Sequence, residues 1–138
     1  MNLTPEQRKQ LILLSDGELY QQAQQFPASN EKIAGAQLSS LLQYAQDWDD
    51  LKKFVNKQWD RAQRNLDEGY KEFYGALKGE LDKLEKRAKQ LASTCPGGQK
   101  QWNTFYASEL AREYIRHLVA HLLFVGKGGH AKPLRREG

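Results

Sequence analysis

The chain has 138 residues, of which 39% are aliphatic, aromatic or Cys and 28% are charged, and it carries a formal net charge of +4. That length suits one domain with a real core, and the balance is that of a soluble globular protein. The longest near-apolar stretch, Leu118–Val125, is far short of the roughly 20 residues that cross a bilayer, which excludes a membrane-spanning helix.

In chain order, Thr4-Pro5-Glu6-Gln7 reads as a helix start, with Thr as N-cap, Pro at the first position and Gln completing a capping box. Ser15-Asp16-Gly17 is expected to break this helix, with Asp16 capping a short second one that ends near Phe26-Pro27. Leu11, Leu14, Leu19, Ala23 and Phe26 form the inner face. A loop over 28–31 leads to a helix from Ile33 to Ala45, with Leu38, Leu41, Leu42 and Ala45 inward. Asp47 caps the next helix, about Trp48 to Leu66, whose apolar stripe is Leu51, Phe54, Val55, Trp59, Ala62 and Leu66.

Asp67-Glu68-Gly69 separates or bends that helix from the following one. There Tyr70, Tyr74, Leu77, Leu81, Leu84, Ala88 and Leu91 alternate gaps of four and three in a heptad seam. The seam fits an intermolecular coiled coil or one arm of an intramolecular hairpin, and the hairpin is preferred. Asp82–Lys86 and Glu85–Lys89 are one turn apart and read as supporting ion pairs. Gly75 and Gly79 lie inside this helix, where a backbone could approach closely.

Ser93-Thr94-Cys95-Pro96-Gly97-Gly98 is a stop and turn. The helix after it, about Trp102 to Val125, carries large apolar residues at 102, 105, 106, 110, 114, 115, 118, 119, 122 and 123, a broad buried face. Its last two turns are apolar almost all round, which predicts a place in the middle of a bundle, with Arg112 and Arg116 on its outer face. The fold class is therefore all-α: a single-domain bundle of five or six helices over residues 1–125, followed by a flexible basic, Gly-rich tail over 126–138.

Charge is unevenly distributed. Residues 1–64 hold eight Lys/Arg and eight Asp/Glu, whereas 83–136 hold eleven Lys/Arg against three Glu. Lys53, Lys57, Arg61 and Arg64 recur at gaps of four, four and three, a stripe about 16 Å long on one helix face. The stripe fits either a run of phosphates or a plain solvated face. The single cysteine, Cys95, rules out an intramolecular disulfide and suits a reducing compartment. No positively charged leader precedes an apolar run, so the expected location is cytoplasmic.

Little in the sequence points to catalysis. His117 and His121 are one turn apart but lack the Glu of His-Glu-x-x-His and a third ligand, so no metal is expected and one or both rings are read as packing or hydrogen-bonding within the bundle. Cys95 has no basic partner nearby in sequence. Gly126-Lys127-Gly128-Gly129 follows a helix rather than a strand and lacks phosphate-loop spacing. No acid–base pair stands out, and neither an enzyme activity nor a cofactor is expected.

Three segments form a recognisable order: Lys32-Ile33-Ala34-Gly35-Ala36-Gln37-Leu38, then Phe54-Val55-Asn56-Lys57-Gln58-Trp59-Asp60-Arg61, then Leu118-Val119-Ala120-His121 leading into Gly126-Lys127-Gly128-Gly129. Over residues 31–129 the chain resembles the small helical subunit of type III CRISPR–Cas effector complexes. After Gln37-Leu38, where members often carry a basic residue, this chain has Ser39 and Ser40. The resemblance implies a non-catalytic subunit that stacks in a minor filament with copies of itself, meets other subunits of the complex, and touches the backbone of guide RNA and target RNA. On this chain it points to Arg61 and Lys57. The charge pattern adds Lys53, Arg64, Arg112, Arg116 and Lys127. The alternative is a helical adaptor or scaffold that binds protein and not RNA.

Overall fold

A computed structural model of the chain describes residues 3–27 and 33–126. The protein is all-α. Its helices are α1 (Pro5–Leu14), α2 (Tyr20–Gln24), α3 (Gly35–Tyr44), α4 (Trp48–Arg64), α5 (Glu68–Ala92) and α6 (Gln99–Gly126), and a π-helical turn, Ser15–Leu19, joins α1 to α2. No strand occurs among the described residues. The expected tail, including Lys127, lies outside them.

The capping box at the start of α1 forms as the sequence predicts. The Gln7 N–H donates to Thr4 Oγ1 at 3.1 Å, and the Thr4 N–H donates to Gln7 Oε1 at 2.9 Å. The expected break at Ser15-Asp16-Gly17 does not occur. Leu14 and Tyr20, on either side, keep right-handed helical backbone. The chain absorbs one extra residue in a widened turn instead of capping a new helix. The widening turns Ser15 and Leu19 inward, in line with Ala23 and Phe26, and all four are buried.

The junction of α4 and α5 also departs from expectation. Leu66 was placed on the buried stripe of α4, but the helix ends at Arg64, and Leu66 is 81% exposed with φ +54°. The Asp67 N–H bonds Ala62 O at 2.9 Å, and the Leu66 N–H bonds Gln63 O at 3.2 Å. This is a left-handed helix stop, a position that glycine usually holds. Asp67 then caps α5, its Oδ1 accepting from the Tyr70 N–H at 3.1 Å. The chain therefore turns one residue before Asp67-Glu68-Gly69, and Gly69 lies within α5.

The α5 seam closes within the molecule. Cys95 lies near Tyr106 and Glu80 near Tyr114, so α5 and α6 run antiparallel. Lys52 meets Glu85 and Lys78 meets Trp59, so α4 and α5 are antiparallel as well. Of the seam, Tyr74, Leu77, Leu81, Leu84 and Ala88 are buried, and Phe73 and Ala92 widen it. The first helical segment crosses both α5 and α6: Phe26 packs on Phe73, Gln22 reaches Glu80, and Ser15 reaches α6. On the other side α3 packs against α4 and α6.

Neither predicted ion pair within α5 forms among the described residues; Glu85 instead faces Lys52 of α4 at 3.8 Å, and Lys83 pairs with Glu80 at 3.0 Å. Gly75 does not admit a backbone. A Cβ there would meet the Trp59 indole at 3.4 Å, and one at Gly79 would meet nothing within 4 Å.

The stop after α5 is made as expected. Gly97 and Gly98 take φ +62° and +48°, which turn the chain into α6. In α6, Tyr106, Leu110, Tyr114, Ile115, Leu118 and Val119 are buried, but Leu123 (46% exposed) and Phe124 (57%) are not surrounded. At about 100° per residue Leu123 lies on the side of α6 opposite Tyr114 and Leu118. Phe124 shares the angular position of the buried Tyr106 about five turns earlier, so its exposure is not set by helix face.

Candidate nucleic-acid interface

The cationic stripe sits on α4, and the local sequence explains how that helix is anchored. Asp47 Oδ2 accepts from the Asp50 N–H at 3.0 Å, and the Trp48 N–H donates to Ser108 Oγ of α6 at 3.0 Å. Asp49 and Asp50 complement the positive end of the helix dipole, and Arg61 and Arg64 the negative end. Leu51, Val55 and Ala62 fill the buried face. That packing directs Lys53, Lys57, Arg61 and Arg64 outward, and all four are exposed. Among the described residues no carboxylate lies within ion-pairing distance of any of them. Asp60 shares the face and is exposed too.

Two further lysines flank the stripe without a sequence signal marking them: Lys52 of α4 itself and Lys78 of α5. Lys78 Nζ lies 4.1 Å from the centre of the Trp59 ring, and Lys52 Nζ lies 5.7 Å from that of Trp48. Both contacts occur on the flank of α4 that meets α5. For Lys78 the sequence offers no signal, because its partner is on another helix.

On the opposite flank Tyr44, the last residue of α3, lies over Phe54 with ring centroids 4.6 Å apart and planes 16° from parallel. Phe54 in turn meets the edge of the buried Tyr74 at 6.3 Å. Sequence spacing places Phe54 on the apolar stripe, but only the α3–α4 turn brings Tyr44 onto it.

Arg112 and Arg116 each have an ion-pair partner, and Arg116 is exposed on the outer face of α6 as expected. Arg112 is half-buried and pairs with Glu109, and its Nε is buried without a hydrogen-bond partner. Arg116 pairs with Glu113 at 2.8 Å. Each pair spans three positions of α6, the spacing at which helical side chains meet. The structure thus gathers Lys53, Lys57, Arg61 and Arg64 on one surface and leaves Arg112 and Arg116 neutralised on a different helix. Lys127 lies outside the described residues.

The other polar cluster lies where the π-helical turn meets α6. Ser15 Oγ is 2.9 Å from Glu113 Oε1 and 3.0 Å from His117 Nε2. A hydroxyl has one proton to give. Ser15 Oγ donates to Glu113, so its proton is used there and toward the His117 ring it can only accept. The carboxylate therefore binds the hydroxyl rather than orienting the imidazole, unlike a nucleophile–base–carboxylate relay. The edge of Tyr20 closes over His117 at 5.5 Å. A cleft of about 240 Å³ beside this cluster is lined by Leu3, Leu11, Ile12, Leu19 and Leu110, with Arg8 and Glu109 at its polar side. Cys95 is buried, its Sγ 3.8 Å from Tyr106 Oη. No group of three or more His, Cys, Asp and Glu side chains placed to hold a metal occurs among the described residues. No helix among them is long and apolar enough to cross a membrane.

No protein-family model, curated protein or solved structure matches the chain.

Proposed function

We propose that this chain is a non-catalytic RNA-binding subunit that holds the sugar–phosphate backbone of guide and target RNA against the outer face of α4. This is the role of the small subunit of a type III CRISPR–Cas effector, where copies of the chain and other subunits would flank it in the cytoplasm. The observation that carries the reading is the set of four cations, Lys53, Lys57, Arg61 and Arg64, exposed on one rigid helix with no ion-pair partner among the described residues. Cations placed in this way follow a backbone and read no bases, so binding is sequence-independent and falls steeply with salt. The motif order that resembles the family includes two of the four, Lys57 and Arg61.

The test is the salt dependence of binding to a mixed-sequence single-stranded RNA. Each neutralised phosphate contributes about −0.7 to the slope of log K against log salt. Replacing Lys53, Lys57 and Arg61 together with Ala is expected to flatten the slope by about two units while the helical signal is unchanged. An unchanged slope removes α4 as the interface.

A second reading, a protein-binding adaptor without RNA, is favoured by one observation. Ile12 (60% exposed) and Leu13 (63%) sit on the outside of α1, and Leu123 and Phe124 on the outside of α6. Absence of RNA binding at low salt, with tight co-purification of a protein partner, supports this reading over the first.

A further inference from the structure

We propose that the outward face of the Tyr44 ring stacks an unpaired base, which makes the preferred ligand of the α4 surface a single-stranded RNA. The inference rests on the backbone-binding reading above and adds a base contact to it. Tyr44 is 41% exposed although one face of its ring is covered by Phe54 in near-parallel contact. The exposed part is therefore the opposite face and the edge. Phe54 is backed by Tyr74, whose hydroxyl donates to Gln37 of α3, so the platform is tied to the core at both ends. A ring held in this way loses little freedom when a base settles on it.

The position of the platform relative to the cations is what distinguishes it from an incidental surface tyrosine. Phe54, Lys57 and Arg61 follow one another at gaps of three and four and so share one row of α4. Arg61 lies roughly 10 Å along the axis from Phe54. Asp50 occupies the same row on the other side of Phe54, one turn toward the helix start. An anionic strand with a base on Tyr44 therefore has Lys53, Lys57 and Arg61 within reach along α4, with Asp60 the one acid among them. A cationic row that ends in an exposed aromatic face is the combination that single-strand binders use, and a duplex cannot satisfy it because its bases are already stacked.

The experiment uses the full chain and a fluorescein-labelled mixed-sequence RNA of about a dozen nucleotides. Three forms are compared: single-stranded, annealed to its complement, and single-stranded with abasic sites. The wild type is expected to bind the intact single strand most tightly. Tyr44→Ala is expected to lose roughly 5- to 150-fold in affinity for it, the range of one base–aromatic stack, and Tyr44→Phe to stay within about twofold. The abasic RNA is expected to bind the wild type more weakly by the factor that Tyr44→Ala loses, and to bind Tyr44→Ala no more weakly than the intact strand does. Equal binding of intact and abasic strands by the wild type overturns the stacking proposal even if Tyr44→Ala unfolds. In that case a salt slope that Lys57→Ala and Arg61→Ala still flatten leaves the backbone reading standing. No binding of any form overturns both.

Discussion

The Tyr114 hydroxyl of α6 donates to Glu80 Oε1 of α5 at 3.3 Å, within the antiparallel α5–α6 pair. Glu80 is the one buried carboxylate among the described residues, and Gln22 of α2 and Lys83 also reach it, each at 3.0 Å. The carboxylate is therefore satisfied by groups from α2 and α6 and by a lysine three residues along its own helix. Such a network is costly to leave half-made. Glu80→Ala is expected to lower stability by about 2–4 kcal/mol, because it strands the Tyr114 hydroxyl and the Gln22 amide. Tyr114→Phe is expected to cost only about 1 kcal/mol. Urea denaturation of the two single variants and the double variant measures the coupling; the double variant should be less destabilised than the sum of the singles by about 1 kcal/mol.

Alkaline pH should weaken the fold. Burial raises the Tyr114 hydroxyl far above the ordinary range, with Glu80 adding to it. Burial also raises Tyr74, and it pushes Tyr106 up to about 12, with Cys95 adding to it. A raised pKa means that the unfolded tyrosine ionises first. The stabilisation is complete below pH 10 and is lost as pH rises from 10 through the folded-state value. Each such tyrosine steepens the fall by up to about 1.4 kcal/mol per pH unit. Urea midpoints between pH 8 and 11.5 should be flat below 10 and drop above it, and Tyr106→Phe should make the drop shallower.

Leu66 and Gly79 offer two opposite backbone tests. Leu66 is exposed in left-handed geometry, where a side chain costs roughly 1–2 kcal/mol. Leu66→Gly should therefore raise stability by about 1 kcal/mol despite the usual entropy penalty of glycine. Gly79→Ala should also stabilise by about 1 kcal/mol, since nothing lies within 4 Å of the new Cβ. Gly75→Ala should give less, because its Cβ must share space with the Trp59 indole at 3.4 Å. Thermal melting of the three variants ranks them; a Gly75→Ala gain equal to that of Gly79→Ala would show that the indole moves freely.

The arginines of α6 should behave unlike those of α4. Arg112 and Arg116 are each matched by a glutamate three residues earlier. Arg112→Ala and Arg116→Ala are expected to leave the salt slope of RNA binding unchanged, while Arg61→Ala lowers its magnitude by about 0.7. A slope that falls equally in all three variants would extend the interface onto α6.

The linear chain is most legible where short-range rules suffice. Thr4 and Gln7, and Asp47 and Asp50, are neighbours in sequence, and their caps form from local geometry. The stripes of α3 to α6 were legible because burial follows helical periodicity. The π-helical turn was not, because Ser15-Asp16-Gly17 looks like a break until Ser15 finds Glu113 and His117 on a helix some hundred residues away. Leu66 misled for a related reason: periodicity says which face a residue would take if the helix continued, and here the helix ends two residues earlier.

What the sequence determined alone is an all-helical chain, the inward faces of its helices, and a row of four cations along one of them, since these depend on spacing within single segments. Which charges remain available was decided in three dimensions. Glu109 and Glu113 neutralise the arginines of α6, Lys78 is drawn onto Trp59 across the α4–α5 contact, and Tyr44 is laid on Phe54 by the turn between α3 and α4. Periodicity assigns a side chain to a face, but whether that face meets a carboxylate, an aromatic ring or water depends on rotamers and on neighbours supplied by other segments.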